Sequence, residues 1–344
     1  MRGGKRSALL VVRISVVIPV RNEQQSIRPL LDRLTNQTLP PSEIVVADGG
    51  STDGSAEIIA RYQSVSVPIH LIRAGVSMPG RSRNLAAAKA TSEWIAFIDA
   101  GVYPEMNWLE CLAKPVRENA ELDVVYGSYE PVTDSLLKEC AAIAYVPPAF
   151  RLDGELIRPR SIACALMRRR VWEAVEGFPE HLRSAEDLLF MNKVEAAGFR
   201  IGYAPRAVVQ WALQPSLWAT FKRFVIYAQN NMRAGLWRQW QLPIFLRYGL
   251  LFVVALLSVF LFSYAGLLLP VVLWLLMFLL RAFVAIRRNR DCYPASIGRN
   301  LVRLGMLIPL LAVIDSATIA GTIRWISLDR SLPAEETASV GNGA

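Results

Sequence analysis

Short apolar runs that stop abruptly in polar and glycine residues alternate with stretches of helical spacing along the N-terminal part of the chain. Positions 14–19 and 43–48 are such runs. The first opens into Arg21-Asn22-Glu23 and the second into Gly49-Gly50-Ser51-Thr52-Asp53-Gly54. An unbroken apolar run of this length, bounded by turn residues, reads as a strand buried on both faces, as parallel strands are. Between them, Ile27, Leu30, Leu31 and Leu34 recur at helical spacing within 24–36,. Ser51, Thr52 and Asp53 carry side-chain oxygens able to accept from the free N–H groups of a helix over 55–62. Two more strands, 68–72 and 94–99, flank an alanine-rich helix over 81–90. Strands alternating with helices predict a doubly wound α/β sheet, with ligands at the carboxyl ends of its strands. That places Asn22, Glu23, Asp48 and Asp53 beside one crevice.

Beyond this the pattern loosens. It predicts a helix over 104–118, a strand over 123–129, a strand over 161–167, a helix over 185–197 and a short strand over 200–204. Residues 130–160, with Pro147 and Pro148, show no period and read as a mobile segment on the acceptor side. Leu217, Phe221, Phe224, Val225, Ala228 and Met232 then form a helical stripe beside Lys222, Arg223 and Arg233. This predicts a basic amphipathic helix in a membrane interface; a helix packed on the domain is the alternative. The run 249–286 is nearly all apolar, close to two spans of about 20 residues, with a hairpin break at 263–266 or at Pro270. A third apolar stretch, 304–323, follows an arginine-rich linker. Positive charge marks the cytoplasmic side, and Asp315 must face protein or water. The predicted order is a lead-in (1–13), the α/β domain (14–212), interfacial helices (213–245), about three membrane helices (246–326) and a disordered tail (327–344). Arg13 interrupts the N-terminal apolar run, so that run reads as a lead-in and strand rather than an export signal.

The 344 residues carry a net charge of +9 and a hydrophobic fraction of 53%. Much of the excess charge is arginine beside the apolar segments. This suits an anionic membrane surface rather than nucleic acid, for which no aromatic-basic platform is present. The four cysteines lack paired spacing, which argues against a disulfide framework or zinc site and for a reducing compartment,. His70 and His181 have no metal-ligand partner at useful spacing. No Gly-x-Gly-x-x-Gly follows the first strand, so a dinucleotide fold is not supported.

Six pieces in order carry a resemblance: Val17-Ile18-Pro19-Val20-Arg21-Asn22-Glu23, Ala47-Asp48-Gly49-Gly50-Ser51-Thr52-Asp53-Gly54, Gly80-Arg81-Ser82-Arg83-Asn84, Phe97-Ile98-Asp99-Ala100-Gly101, Gly177-Phe178-Pro179-Glu180 and Glu186-Asp187. Together they resemble glycosyltransferase family 2, inverting enzymes of GT-A fold, here with C-terminal transmembrane helices. The resemblance implies a doubly wound mixed sheet followed by an all-α membrane segment. It implies a nucleotide-sugar donor, with Asp48 at the base and Pro19, Val20, Asn22 and Glu23 lining the nucleotide. Arg81, Arg83 and Asn84 stand at a helix start, where cationic forks and free amides suit phosphate. Asp99 matches the first residue of the family's Asp-x-Asp motif, whose last position here is Gly101. A Mg²⁺ or Mn²⁺ ion would then have fewer protein ligands, or ligands from elsewhere, or the metal is dispensed with. Asp187 matches the catalytic base, and its place at a helix start favours its ionised form; Glu186 holds the acceptor or tunes the pair. Arg233 offers a diphosphate contact and Trp211 a stacking surface for sugar, against a solvated or lipid-facing arginine and a core tryptophan. Gln229 to Arg233 departs from the Gln-x-x-Arg-Trp string of processive synthases, which favours transfer of one sugar.

The expected protein is a membrane-anchored glycosyltransferase, multi-pass in the plasma membrane with a cytoplasmic catalytic domain. It moves one sugar, with inversion, from a nucleotide sugar to a lipid-linked or cell-envelope glycan acceptor in polysaccharide biosynthesis. Its partners are donor, acceptor and membrane lipid, with no nucleic acid. The alternatives are a polyprenyl-phosphate sugar synthase and, because of Gly101, a non-catalytic sugar-nucleotide-binding subunit. A transporter is disfavoured, since three apolar stretches with one ionisable residue offer little for a pathway.

Overall fold

The computed structural model describes residues 12–62, 64 and 66–328. Most of the predicted lead-in and nearly all of the predicted tail lie outside the described residues. In chain order the first elements are β1 (Ile14–Val20), α1 (Ile27–Thr35), β2 (Glu43–Asp48), α2 (Ser55–Arg61), β3 (Ile69–Arg73), α3 (Pro79–Lys89) and β4 (Trp94–Phe97). Then come β5 (Val102–Pro104), α4 (Trp108–Glu118), β6 (Val124–Val132), α5 (Leu136–Tyr145), β7 (Phe150–Leu152), β8 (Glu155–Ile157), β9 (Ala165–Arg168), α6 (Arg169–Ala174), α7 (Glu186–Ala196) and β10 (Ile201–Ala212). The remainder is helical: α8 (Leu217–Arg233), α9 (Trp237–Trp240), α10 (Leu242–Phe262), α11 (Leu268–Arg288) and α12 (Ile297–Leu328). The chain divides into two units. The first comprises the residues up to Glu130 with Phe150–Glu180 and Glu186–Trp211; the second comprises Pro131–Ala149, His181–Ala185 and the residues from Ala212 onward.

The first unit is built on an eight-stranded mixed sheet of order β3-β2-β1-β4-β9-β6-β10-β5. β3, β2, β1 and β4 run parallel, while β9 is antiparallel to both β4 and β6. Val16, Val17, Ile18, Val45 and Val46 are fully buried, as their unbroken apolar runs require,. The buried stripe of α1 is Ile27, Leu30, Leu31 and Leu34, the periodic positions read above. Val20 pairs with Asp48 in register, so the loops after β1 and β2 leave the same edge of the sheet side by side.

Elsewhere the local pattern was overridden. The helix expected from 104 begins at Trp108, because 102–104 form edge strand β5, antiparallel to β10 with Tyr103 opposite Gln210. The strand expected over 200–204 runs to twelve residues, Ile201–Ala212, between β6 and β5 in the sheet. The strand expected over 161–167 opens as a 3-10 turn over Ile162–Cys164. The aperiodic segment 130–160 is regular. α5 starts where Ser135 Oγ accepts from Lys138 N–H, and β7 and β8 form a hairpin turned at Asp153-Gly154. Both turn residues have positive φ, 50° and 84°, the demand that an Asp-Gly pair meets.

Glu43 pins the start of β2. One of its carboxylate oxygens accepts from Ser15 Oγ (2.6 Å), Thr91 N (2.6 Å) and Thr91 Oγ1 (2.7 Å). Burial works to raise the Glu43 carboxyl, but these bonds outweigh it and hold it below the usual glutamate range. Glu43→Ala strands the buried Ser15 hydroxyl and frees two more accessible Thr91 donors, and is expected to cost about 1–3 kcal/mol,, measured by denaturant unfolding. Because the folded-state value is depressed, the wild-type contribution is present at neutral pH and is lost as pH falls through that value.

In the second unit, α8 packs along α12. Gly321 permits the close approach: a methyl there would collide with the Val225 carbonyl and with Ala228. The apolar stripe of α8 is half-buried or buried against this packing, while Trp218, Lys222 and Arg223 on its other side are exposed. α10 and α11 are joined by a 3-10 turn over Ser263–Leu267, the break anticipated at 263–266. Leu242–Arg288 and Ile297–Leu328 are long and apolar enough to cross a membrane, by length and composition. They differ in cover: 11% of the most apolar window is buried in the first and 44% in the second. α12 also carries buried Arg303, paired with Glu139 of α5, and buried Asp315, paired with Arg281 of α11.

Candidate active site

The loops after β1 and β2 are zipped together by side chains. Asn22, held at φ 58°, donates its N–H to Ser51 Oγ (2.9 Å), and its Oδ1 accepts from Thr52 N (2.8 Å). Glu23 N–H donates to Ser55 Oγ (2.8 Å), and Asp53 accepts from Gln24 N (3.0 Å) and Ser55 N (3.0 Å). Asn22 and Asp53 therefore shape the rim. Asp48 is buried at the end of β2 and accepts from Ser51 N (3.2 Å). Val20, also expected to line the nucleotide, is buried and its carbonyl accepts from Gly49 N (2.8 Å), so its part is structural; Pro19 is half-buried beside it. Behind them stands α3: a Cβ on Gly49 would meet Ser77 O at 3.0 Å and Ser82 Oγ at 3.3 Å.

The centre of the site is Arg83, one residue further along α3. Its guanidinium is nearly inaccessible, with Nη1 2.6 Å from Glu186 Oε1 and Nη2 2.7 Å from Asp99 Oδ1. It thus ties the end of β4 to the first residue of α7. Arg83 lies over the ring of Phe178 (5.4 Å), and Phe178 is stacked on Phe190 of α7 (3.8 Å) and set edge-on to Phe97 of β4 (5.4 Å). Burial pulls the Arg83 guanidinium down, but Asp99, Glu186 and Asp187 overcome this and keep it charged. Burial pushes both Glu186 and Asp187 above the usual carboxylate range, against the pull of Arg83. The helix-start expectation of a readily ionised Asp187 is thereby reversed: desolvation and the Asp99 charge raise it beyond what Arg83 and the Leu188 N–H bond (2.8 Å) lower it,. Glu186 is buried, with one oxygen committed to Arg83, whereas Asp187 is half-buried. Ala185, at φ 72°, turns the chain into α7. A non-glycine residue there costs about 1–3 kcal/mol and marks a constrained turn.

The remaining candidates fall into different places. Asn84 accepts from Phe178 N (2.8 Å) and Trp172 Nε1 (3.0 Å) and donates to Phe178 O (2.9 Å), so it fastens the 177–180 loop rather than a ligand. Gly80 is required because a methyl there would collide with the Pro179 carbonyl. Arg81 is exposed, in a loose 3.6 Å pair with Glu180 that an anion can displace,. Trp211 packs edge-on against Tyr129 (6.2 Å). Arg233 ends α8 in the second unit. Sequence reasoning assigned Arg83 to phosphate and missed its bridging role; nothing local to 81–84 reports contacts with residues 99 and 186. It also missed Ser77 and Ser82 behind Gly49.

For a divalent cation the donor set is poor. Among the described residues no three His, Cys, Asp or Glu side chains converge. Asp99 is engaged by Arg83, and Gly101 supplies no donor; a Cβ there would lie 3.7 Å from Glu23 Oε1. These residues do not fit a Mg²⁺ or Mn²⁺ ion held by protein side chains.

Comparison with known proteins places these features in context. Residues 15–175 match the family described as Glycosyl transferase family 2. Glycosyltransferase AglE of Haloferax volcanii is 28% identical over 197 residues, 56% of this chain and 64% of that protein. Poly(ribitol-phosphate) beta-N-acetylglucosaminyltransferase TarS of Staphylococcus aureus is 28% identical over 199 residues, 56% of this chain and 34% of that protein. The match thus spans less than two thirds of the length of either relative. The mannosyltransferase PcManGT from Pyrobaculum calidifontis, solved in complex with GDP-Man and Mn²⁺, shares the fold with a TM-score of 0.54 and 20% identity, over 93% of this chain and 88% of that one.

Proposed function

The chain belongs to glycosyltransferase family 2 through residues 15–175 and has the GT-A fold, and from that premise we propose that it transfers one sugar from a nucleotide donor to a cell-envelope acceptor, with inversion at the anomeric carbon. The observation that carries this reading is the Arg83 bridge, which ties Asp99 at the strand-end crevice to Glu186, the chain neighbour of Asp187. The crevice after β1 and β2 takes the nucleotide, with Asp48 accepting from the base. Arg81 and the free amides of the first turn of α3 face the diphosphate. Glu186, fixed by Arg83, positions Asp187. Asp187, made more basic by burial, takes the proton of the acceptor hydroxyl as that oxygen attacks the sugar carbon and the nucleoside diphosphate leaves. No step is routed through a metal ion. Mn²⁺ is expected to bind the nucleotide-free chain only at millimolar concentration, read from the paramagnetic resonance of the free ion; saturable micromolar binding would contradict the donor-set argument.

The hairpin of α10 and α11 supports membrane association. Residues 250–280 contain no charged side chain, and Arg247, Arg281, Arg287 and Arg288 lie towards the two chain ends of the hairpin. Each helix has 21 residues, about 31 Å and enough to cross a hydrocarbon core. By the positive-charge rule this end is cytoplasmic. α12, with buried Arg303 and Asp315, is a packing helix first. The test is incubation of the purified full chain with a panel of radiolabelled sugar nucleotides and envelope lipid and glycan fractions. Label from one donor is expected in the acceptor fraction. Nucleotide binding without transfer from any donor would instead make the chain a binding subunit.

A further inference from the structure

The second unit holds a cationic cluster that the transfer reaction does not use. Asp315 of α12 is fully buried. Arg281 of α11 grips it with both prongs (2.5 and 3.0 Å), and Tyr248 of α10 donates to it (3.3 Å). Arg247, also on α10, stands 4.0 Å from the same carboxylate, with its side chain 35% exposed and its Nε buried without a partner. Two guanidinium groups thus face one carboxylate that Arg281 and Tyr248 already occupy, leaving one positive charge in excess. The surroundings are apolar: Phe245, Leu246 and Leu250 on α10, and Leu280, Phe283 and Val284 on α11, are all exposed. Arg247 is the sixth residue of α10 and Arg281 the eighth from the end of α11. If the hairpin enters lipid, both lie one to two turns inside its basic end, at head-group depth.

An excess cation with an unused donor, rimmed by exposed hydrocarbon, is complementary to an amphiphile with an anionic phosphate head and an acyl or isoprenyl tail. We propose that the Arg247–Arg281–Asp315 cluster binds the phosphate head of a membrane lipid, the exposed part of the Arg247 guanidinium reaching the phosphate and Arg281 held in place by Asp315. Solvation alone explains an exposed arginine. It does not explain why two guanidinium groups are set on one buried carboxylate that Arg281 and Tyr248 already occupy. The proposal rests on the hairpin entering the bilayer, and not on the transfer chemistry of the first unit.

The full chain in neutral detergent would be titrated with phosphatidic acid, phosphatidylcholine or inorganic phosphate, following the thermal transition and bound lipid by native mass spectrometry. Phosphatidic acid is expected to raise the transition and to stay bound, with no comparable effect of phosphatidylcholine. Arg247→Gln is expected to weaken this at least tenfold, while Arg238→Gln, an exposed arginine of the same unit, leaves it unchanged. Should Arg247→Gln not fold, Arg247→Lys retains the charge without the fork and is expected to bind severalfold more weakly. Equal binding by wild type and the Arg247 variant, or an equal response to inorganic phosphate or phosphatidylcholine, would overturn the proposal. Transfer assays on the same variants separate its failure from that of the enzymatic reading, because the cluster is outside the transfer machinery.

Discussion

Asp187→Asn is expected to lower kcat by about 10²–10⁴-fold, the usual contribution of a positioned general base, while changing nucleotide affinity by no more than about twofold. The separation follows from placement. Asp187 is half-buried at the start of α7, and the groups expected to hold the nucleotide are on β1, β2 and α3. Burial raises the Asp187 carboxyl above the ordinary aspartate range, which makes it the better proton acceptor once ionised. The acid limb of the wild-type pH–rate profile should therefore lie above the usual aspartate value of about 4, with activity lost as pH falls through it. Isothermal titration with the nucleoside diphosphate and steady-state rates with the identified donor check both halves. A variant that keeps most of its activity would point to an acceptor that arrives deprotonated, such as a lipid phosphate, and would remove the base from the mechanism.

Arg83→Gln should have a comparable effect for a different reason. It withdraws the cation that bonds both Asp99 and Glu186. Breaking the buried Arg83–Glu186 pair from one side costs about 3–5 kcal/mol, because the Glu186 charge stays buried and unpaired, while the more exposed Asp99 can turn to water,. The carboxyls of Glu186 and Asp187, already raised by burial, lose the pull of Arg83 and rise further. In a variant that folds, the acid limb of the rate profile should thus move to higher pH, a displacement that loss of stability alone does not produce. Arg83→Lys keeps the charge but cannot reach both carboxylates with a planar fork, so an intermediate profile is expected. Wild-type stability, rate and pH dependence in Arg83→Gln would refute the bridging role.

The parts of the fold that were legible in the sequence are those whose physics is local. The valine and isoleucine runs of β1 and β2 are buried on both faces, and the α1 stripe Ile27-Leu30-Leu31-Leu34 is its buried face. The Asp153-Gly154 turn of the β7–β8 hairpin is also local, but the strands it joins are three residues each, too short to show an alternating pattern. What stayed hidden depends on partners far along the chain. β5 is a strand only because β10 pairs with it, and β10 runs to twelve residues as a neighbour of both β6 and β5. At the site, the motif strings marked Arg83, Asp99, Glu186 and Asp187 but not their arrangement. The guanidinium that looked like a phosphate ligand is bonded through both Nη atoms to carboxylates 16 and 103 residues away. Asn22 and Asn84 were read as donor contacts, yet short polar side chains at turns are equally suited to bind backbone, and both do so here.

The most direct test is a structure of the full chain with an intact, non-transferable nucleotide-sugar analogue. The nucleotide should lie at the carboxyl ends of β1 and β2 with its base against Asp48, and the anomeric carbon should face Asp187, with room between for one hydroxyl. A nucleotide bound elsewhere, or a sugar carbon turned away from α7, would contradict the account.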